Sequence, residues 1–188
     1  MKTILFLSIL ALTTPTRPGV TPPAERVAGA PRGTAPRPAA RAAGTQLQTP
    51  DGSQVSLDDV LHRYAGKVIY LDVWASWCGP CRHQAPYLES LRTAFAKDSV
   101  VFLSISIDAD PLDWKQAMTE LGTAGSGTDF LLLDGHHSTL NNILHIKGVP
   151  RYALLDRNGR FVDKDAPFPS TDEAEARIRT LLRSGDSK

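Results

Sequence analysis

The chain has 188 residues, with 21 Lys and Arg against 20 Asp and Glu, for a formal net charge of +1. That balance excludes a strong field drawing it to nucleic acid or an acidic membrane. The length allows one domain with an appendage, and only two cysteines, Cys78 and Cys81, exclude a small fold stapled by disulfides.

Met1 and Lys2 make a short basic start, and residues 4–12 (ILFLSILAL) form an apolar run. The run falls within the roughly 7–15 residues of a signal-peptide core and short of the ~20 needed to cross a bilayer. Residues 1–16 are therefore expected to be a secretory signal or an N-terminal anchor, although no clean Ala-x-Ala site follows. Residues 17–45 are rich in Pro, Ala and Arg; seven of the fourteen prolines lie between Pro15 and Pro38. Without helical or strand periodicity, such a stretch cannot bury enough surface to offset its ordering entropy, and it is expected to be a linker. A folded domain is expected over residues 46–188.

Asp51-Gly52 signals a hairpin between residues 46–48 and 54–56. Ser56 caps an expected helix over 57–64, with Asp58 and Asp59 in its first turn and Gly66 ending it. Residues 67–74 (KVIYLDVW) are nearly continuously apolar, the pattern of a strand covered on both faces, interrupted by Asp72. A helix is expected over 78–97, bent at Pro86, and a second buried strand over 100–107. Asp110 and Pro111 supply the cap and first position of a helix ending at Gly122. A strand over 130–133, a helix over 138–146 and a hairpin around Asn158-Gly159 follow. Thr171 is expected to cap a last helix whose acids come early and arginines late. The order predicts an α/β fold: a mixed central sheet with helices on both faces and an N-terminal hairpin extension.

The stretch VWASWCGPCRHQAP, residues 73–86, holds both cysteines. Residues three apart on a helix have Cβ atoms roughly 5–6 Å apart, and a tightened first turn brings them within disulfide reach. At a helix start, free backbone N–H groups and the positive dipole end favour a thiolate at Cys78. Arg82 is expected to add positive charge, and Cys81, one turn in, to be the more buried. These positions predict Cys78 as the attacking sulfur and Cys81 as the resolving one. Asp72, inside an apolar strand, is expected to be buried with a raised pKa and to exchange a proton with Cys81.

The run Trp77-Cys78-Gly79-Pro80-Cys81 after a buried strand, with Pro86 beyond it and Gly148-Val149-Pro150 before a later strand, resembles the thioredoxin superfamily. The leader, the DGSQVSLDDV hairpin and the segment around residues 111–128 resemble its TlpA/ResA-like extracytoplasmic thiol–disulfide oxidoreductases. The resemblance implies that Asp72 is the family's buried acid and that Pro150 is its cis-proline. It also implies that the backbone of Val149 receives a substrate peptide, with Trp77, Gly79 and Pro80 framing the same groove. The implied partners are a protein disulfide substrate and a membrane thiol-transfer protein as electron donor, with a possible membrane tether.

No cofactor or metal is expected. His83 completes a Cys-x-x-Cys-x-His run, but on a helix residues 81 and 83 point to different sides. A c-type haem would need His where Arg82 stands. Two other functions remain open on the same residues. One is copper delivery on Cys78 and Cys81. The other is a peroxidase, whose Pro-x-x-x-Thr-x-x-Cys setting is missing, since Trp74 and Ala75 stand four and three before Cys78. Trp74, Tyr70 and Tyr87 read most simply as packing residues.

Overall fold

A computed structural model of the protein describes residues 44–184. The expected signal or anchor and nearly all of the expected linker lie outside the described residues.

The order is β1 (Gln46–Gln48), β2 (Gln54–Ser56), α1 (Leu57–Arg63), β3 (Val68–Trp74), α2 (Gly79–Ala94), β4 (Val100–Ser106), α3 (Pro111–Leu121) and β5 (Asp129–Leu132). A 3₁₀ turn over Gly135–His137 leads to α4 (Thr139–Leu144), β6 (Arg151–Leu155), β7 (Phe161–Asp163) and α5 (Asp172–Ser184). The strands form one sheet in the order β2-β1-β5-β4-β3-β6-β7. Strands β3, β4 and β5 run parallel, and β6 lies antiparallel to β3. The N-terminal hairpin joins through β1, antiparallel to β5. This is the mixed sheet with a hairpin extension that the residue pattern predicts.

Alternation along the strands sorts their side chains into two layers. Ile69, Leu71, Val73, Leu103 and Ile105 face α1 and α4, in a core with Leu57, Val60, Leu140 and Leu144. Tyr70, Phe102 and Leu154 face α2 and α5, against Leu88, Leu91, Phe95 and Ile178. A third cluster joins Trp74, Cys78 and Cys81 to Trp114, Ala117 and Met118 of α3. Helices therefore cover both faces, with α2, α3 and α5 on the side that carries Asp72 and the cysteines.

Local signals act mostly where expected. The Ser56 hydroxyl accepts the Asp59 N–H, and Asp110 accepts that of Leu112. Several element ends differ from the expectation by one to three residues. Helix α2 stops at Ala94, three residues short of the expectation, with Phe95 as a buried cap. Helix α4 ends at His145, which itself adopts a left-handed conformation (φ 50°) ahead of Gly148. The Thr171 hydroxyl donates back to the Phe168 carbonyl, 2.8 Å away. Thr45 is fully buried, and its Oγ1 accepts the Leu140 N–H.

Candidate functional site

Strand β3 delivers the chain to the edge where parallel strands end, and α2 starts after a turn of Ala75, Ser76 and Trp77. The Cys78 N–H closes that turn on the Ala75 carbonyl at 3.1 Å. Cys78 is the N-cap of α2, and its Sγ accepts the Cys81 N–H at 3.1 Å. Cys78 and Cys81 are joined in a disulfide, with Cα atoms 5.2 Å apart. Pro80 lies in the first turn, where no intrahelical hydrogen bond is lost. Trp77 is 68% exposed, and Gly79 and Pro80 are exposed beside it.

One expectation at this turn is corrected. Cys81 is not the more buried cysteine: Cys78 is 3% and Cys81 6% exposed. Both cysteines lie in one apolar cluster with Trp114 and Met118 of α3, so that layer covers the cap residue as well as the first turn. The Arg82 guanidinium is engaged by Glu120 of α3 at 2.7 Å, so its charge is drawn toward that partner. Tyr87, expected to pack, is instead 43% exposed, its ring 5.8 Å from that of His83. Tyr70 does pack, and its hydroxyl donates to the Pro167 carbonyl.

A clamp absent from the sequence reading holds the turn from below. Asp108, just past β4, is buried and accepts the Ser76 N–H at 2.9 Å and the Ser76 hydroxyl at 2.7 Å. The Ser106 hydroxyl donates to the same carboxylate at 2.6 Å. A buried carboxylate so fully hydrogen-bonded fixes the loop that aims Trp77 and Cys78. The only sequence signal was Ser-x-Asp closing an apolar strand.

Asp72 lies behind the disulfide on the α2 face. It is 8% exposed, and its Oδ1 has no hydrogen-bond partner. Burial pushes its pKa up to about 7; the Arg92 guanidinium pulls it down, Asp129 pushes it up and the Ser104 hydroxyl pulls it down. Asp72, Cys81, Gln84, Arg92, Ser104 and Asp129 line one cavity of about 30 Å³. A larger cleft of about 320 Å³ opens at the same sheet edge, between Ile107, Pro111, Leu131 and Ile146. Across the disulfide, the Val149–Pro150 peptide is cis, and Val149 packs against the cluster that contains Cys78 and Cys81. Among the described residues, no group of three His, Cys, Asp or Glu side chains is placed to hold a metal ion.

The Redoxin family model matches residues 30–182, well over half of the chain. The chain belongs to the Redoxin family. Among relatives of this Redoxin chain, the thiol-disulfide oxidoreductase ResA of Geobacillus thermodenitrificans (strain NG80-2) is 27% identical over 114 residues, 59% of this chain and 63% of that protein. A thioredoxin of Rhodospirillum rubrum is 43% identical over 65 residues, 35% of this chain and 58% of that protein. The chain thus spans less than two thirds of the length of these curated relatives. The crystal structure of the thioredoxin domain of a thiol-disulfide oxidoreductase from Bacteroides vulgatus superposes with a TM-score of 0.61 at 26% identity, covering 73% of this chain and 91% of that one. The solution structure of a thiol:disulfide interchange protein from Bacteroides sp. gives the same TM-score and identity, over 76% and 88%. The fold is that of thioredoxin.

The fold of this Redoxin chain brings together most residues singled out from the sequence. Cys78, Cys81 and Val149 share one cluster, Asp72 and Cys81 share one cavity, and Trp77, Gly79 and Pro80 form the exposed rim. A sulfur pair at a helix start, an accessible rim and a buried acid make a set able to exchange disulfides and move the accompanying proton.

Proposed function

We propose that this chain is a thiol–disulfide oxidoreductase that reduces protein disulfides through the Cys78–Cys81 couple. The observation that carries the reading is the disulfide spanning the cap and first turn of α2, next to the exposed Trp77. The N–H that Cys78 Sγ accepts, with the positive helix end, stabilises a thiolate there once the bond is reduced.

The Cys78 thiolate attacks one sulfur of a substrate disulfide. The substrate S–S bond breaks, a Cys78–substrate bond forms and one substrate thiolate leaves. The Asp72 carboxylate takes the Cys81 proton, and the Cys81 thiolate attacks Cys78 Sγ. The mixed bond breaks, the second substrate thiolate leaves and the Cys78–Cys81 bond is restored. Two electrons have reached the substrate; the proton held by Asp72 returns to solvent, from which the product thiolates are protonated. Trp77, Gly79 and Pro80 on one side and Val149 with Pro150 on the other hold the substrate segment. No cofactor enters this cycle.

The reading extends to a periplasmic or otherwise extracytoplasmic site of action, supported by the apolar run at residues 4–12. The chain is then soluble after cleavage or anchored at its N-terminus, and a membrane thiol-transfer protein returns its electrons. Cytochrome c maturation, which requires reduced apoprotein cysteines, is a process this chemistry serves. Among the described residues, no helix is long and apolar enough to cross a membrane.

Insulin reduction with dithiothreitol as electron donor tests the reading. Wild type accelerates it, Cys78→Ser does not, and Cys81→Ser accumulates a mixed disulfide with substrate. An undiminished rate in Cys78→Ser ends the proposal, and trapping by Cys78→Ser instead of Cys81→Ser reverses the two sulfur roles.

A further inference from the structure

Asp72 is not the only acid buried behind the disulfide. In the sheet register Asp72 pairs with Ser104, and Ser104 pairs with Asp129. The three form one row across β3, β4 and β5, on the same face. Neighbouring strands lie ~4.8 Å apart, so the two acids start from backbone positions roughly 10 Å apart. Asp129 is 3% exposed, and the Ser126 hydroxyl donates to its Oδ2.

Arg92 comes down on this row from α2. Its Nη2 donates to Ser104 Oγ at 3.2 Å, and its Nη1 to the Thr128 hydroxyl at 3.1 Å and the Phe102 carbonyl at 2.9 Å. The guanidinium is thus held over the middle of the row, with a carboxyl group on either side. The cavity of about 30 Å³ between them has room for a water molecule. Two buried oxygens with no hydrogen-bond partner, Asp72 Oδ1 and Thr123 Oγ1, belong to residues that line it.

We propose that Asp129 is a positioning residue for the proton on Asp72. The two buried carboxyl groups share one guanidinium, so ionisation of either opposes ionisation of the other. The inference rests on the oxidoreductase reading for its use, since Asp72 is the group that relieves Cys81 of its proton. The charged and titratable groups facing Asp72 are Cys81, Glu89 and Arg92 from α2, Asp129 from β5, Tyr152 from β6 and Tyr70 from its own strand. Burial holds both tyrosines well above the ordinary phenol range, so they stay neutral. Glu89 is exposed, with an oxygen 3.9 Å from Arg92 Nε. The half-buried Arg92 and the buried Asp129 are left as the charges able to move the Asp72 proton, in opposite directions. Burial raises the Asp129 pKa as well, while Ser126 and Arg92 lower it. Such a pair titrates as a unit. At roughly 10 Å and an effective dielectric of ~20, the coupling amounts to about one pH unit.

The test is a carbon-13 NMR titration of the aspartate carboxyl carbons in the oxidised full chain, read beside the pH profile of insulin reduction. In Asp129→Asn the Asp72 midpoint falls by about one pH unit, and in Arg92→Gln it rises by a similar amount. The rate profile moves with each. In the wild type, the Asp72 and Asp129 curves each bend at the other's midpoint, a reading that needs no variant to fold. An Asp72 midpoint unmoved in Asp129→Asn, equal displacement by both variants in one direction, or independent wild-type curves overturns the coupling. Coupled midpoints in a protein without insulin reductase activity retain the coupling and reject the oxidoreductase reading.

Discussion

The central strands show two different surfaces to the helices that cover them. Toward α1 and α4, they present Ile69, Leu71, Val73, Leu103 and Ile105, an apolar layer continuous with Leu140 and Leu144. Toward α2 and α3, the same strands present Asp72, Ser104, Ser106 and Asp129, with Arg92 and the disulfide packed over them. The first surface removes carbon from water. The second does so too, through Tyr70 and Phe102, but it also buries carboxyl groups at a cost in stability and gains a proton-holding group behind a reactive sulfur. One sheet serves both uses because alternation along a strand keeps the two sets of side chains apart.

The largest expected effect breaks the apolar side. Leu103→Ala, at a fully buried position, costs roughly 2–5 kcal/mol in denaturant unfolding. The pH profile of disulfide reduction by the folded variant keeps its midpoint. A displaced midpoint makes the two surfaces interdependent.

The opposite sign is expected on the polar side. Asp72 has its ordinary value of 3.8 raised to about 7 by burial. Between those values the native state binds more protons than the unfolded chain, so the Asp72 contribution to stability falls as pH rises from about 4 to about 7 and is level above. Asp72→Asn removes that loss. The oxidised variant is more stable than wild type at pH 8 by on the order of 4 kcal/mol, about three units at 1.36 kcal/mol each. The gain shrinks to nothing near pH 4, while resolution of the mixed disulfide slows at neutral pH. Equal denaturation midpoints at pH 8 contradict the buried-acid account.

A smaller loss is expected at the loop clamp. Asp108→Ala leaves the Ser76 N–H and hydroxyl without their shared acceptor, costing about 1–3 kcal/mol. Cys78 becomes more reactive toward alkylating reagents in the reduced protein as its loop loosens, and unchanged alkylation kinetics count against the clamp. Arg82→Gln tests the smallest effect. The Arg82–Glu120 pair is well exposed on both sides, so the unfolding midpoint stays where it is.

Legibility followed the range of the interactions involved. The hairpin turn, the Ser56 and Asp110 caps, the buried strands and the sulfur pair are each written within a few residues, and all appear where expected. The cap of α5 was misread because the Thr171 hydroxyl turns back to Phe168. The burial of Cys78 was misread: a layer from α3, some 35 positions along the chain, covers both cysteines. Arg92, Asp129 and Asp108 were not singled out from the sequence. Each gains its place only when strand order sets β5 beside β4 and β4 beside β3.

The sequence by itself determined that two thiols meet at a helix start behind a buried strand, because three-residue spacing and a helix cap are local geometry. It also determined that an acid lies inside that strand. Tertiary structure alone decided what surrounds the acid: a second carboxyl group two strands away and a guanidinium lowered from a helix. Proton affinity inside a protein depends on burial and on charges across the sheet, and those distances exist only once the strands have paired.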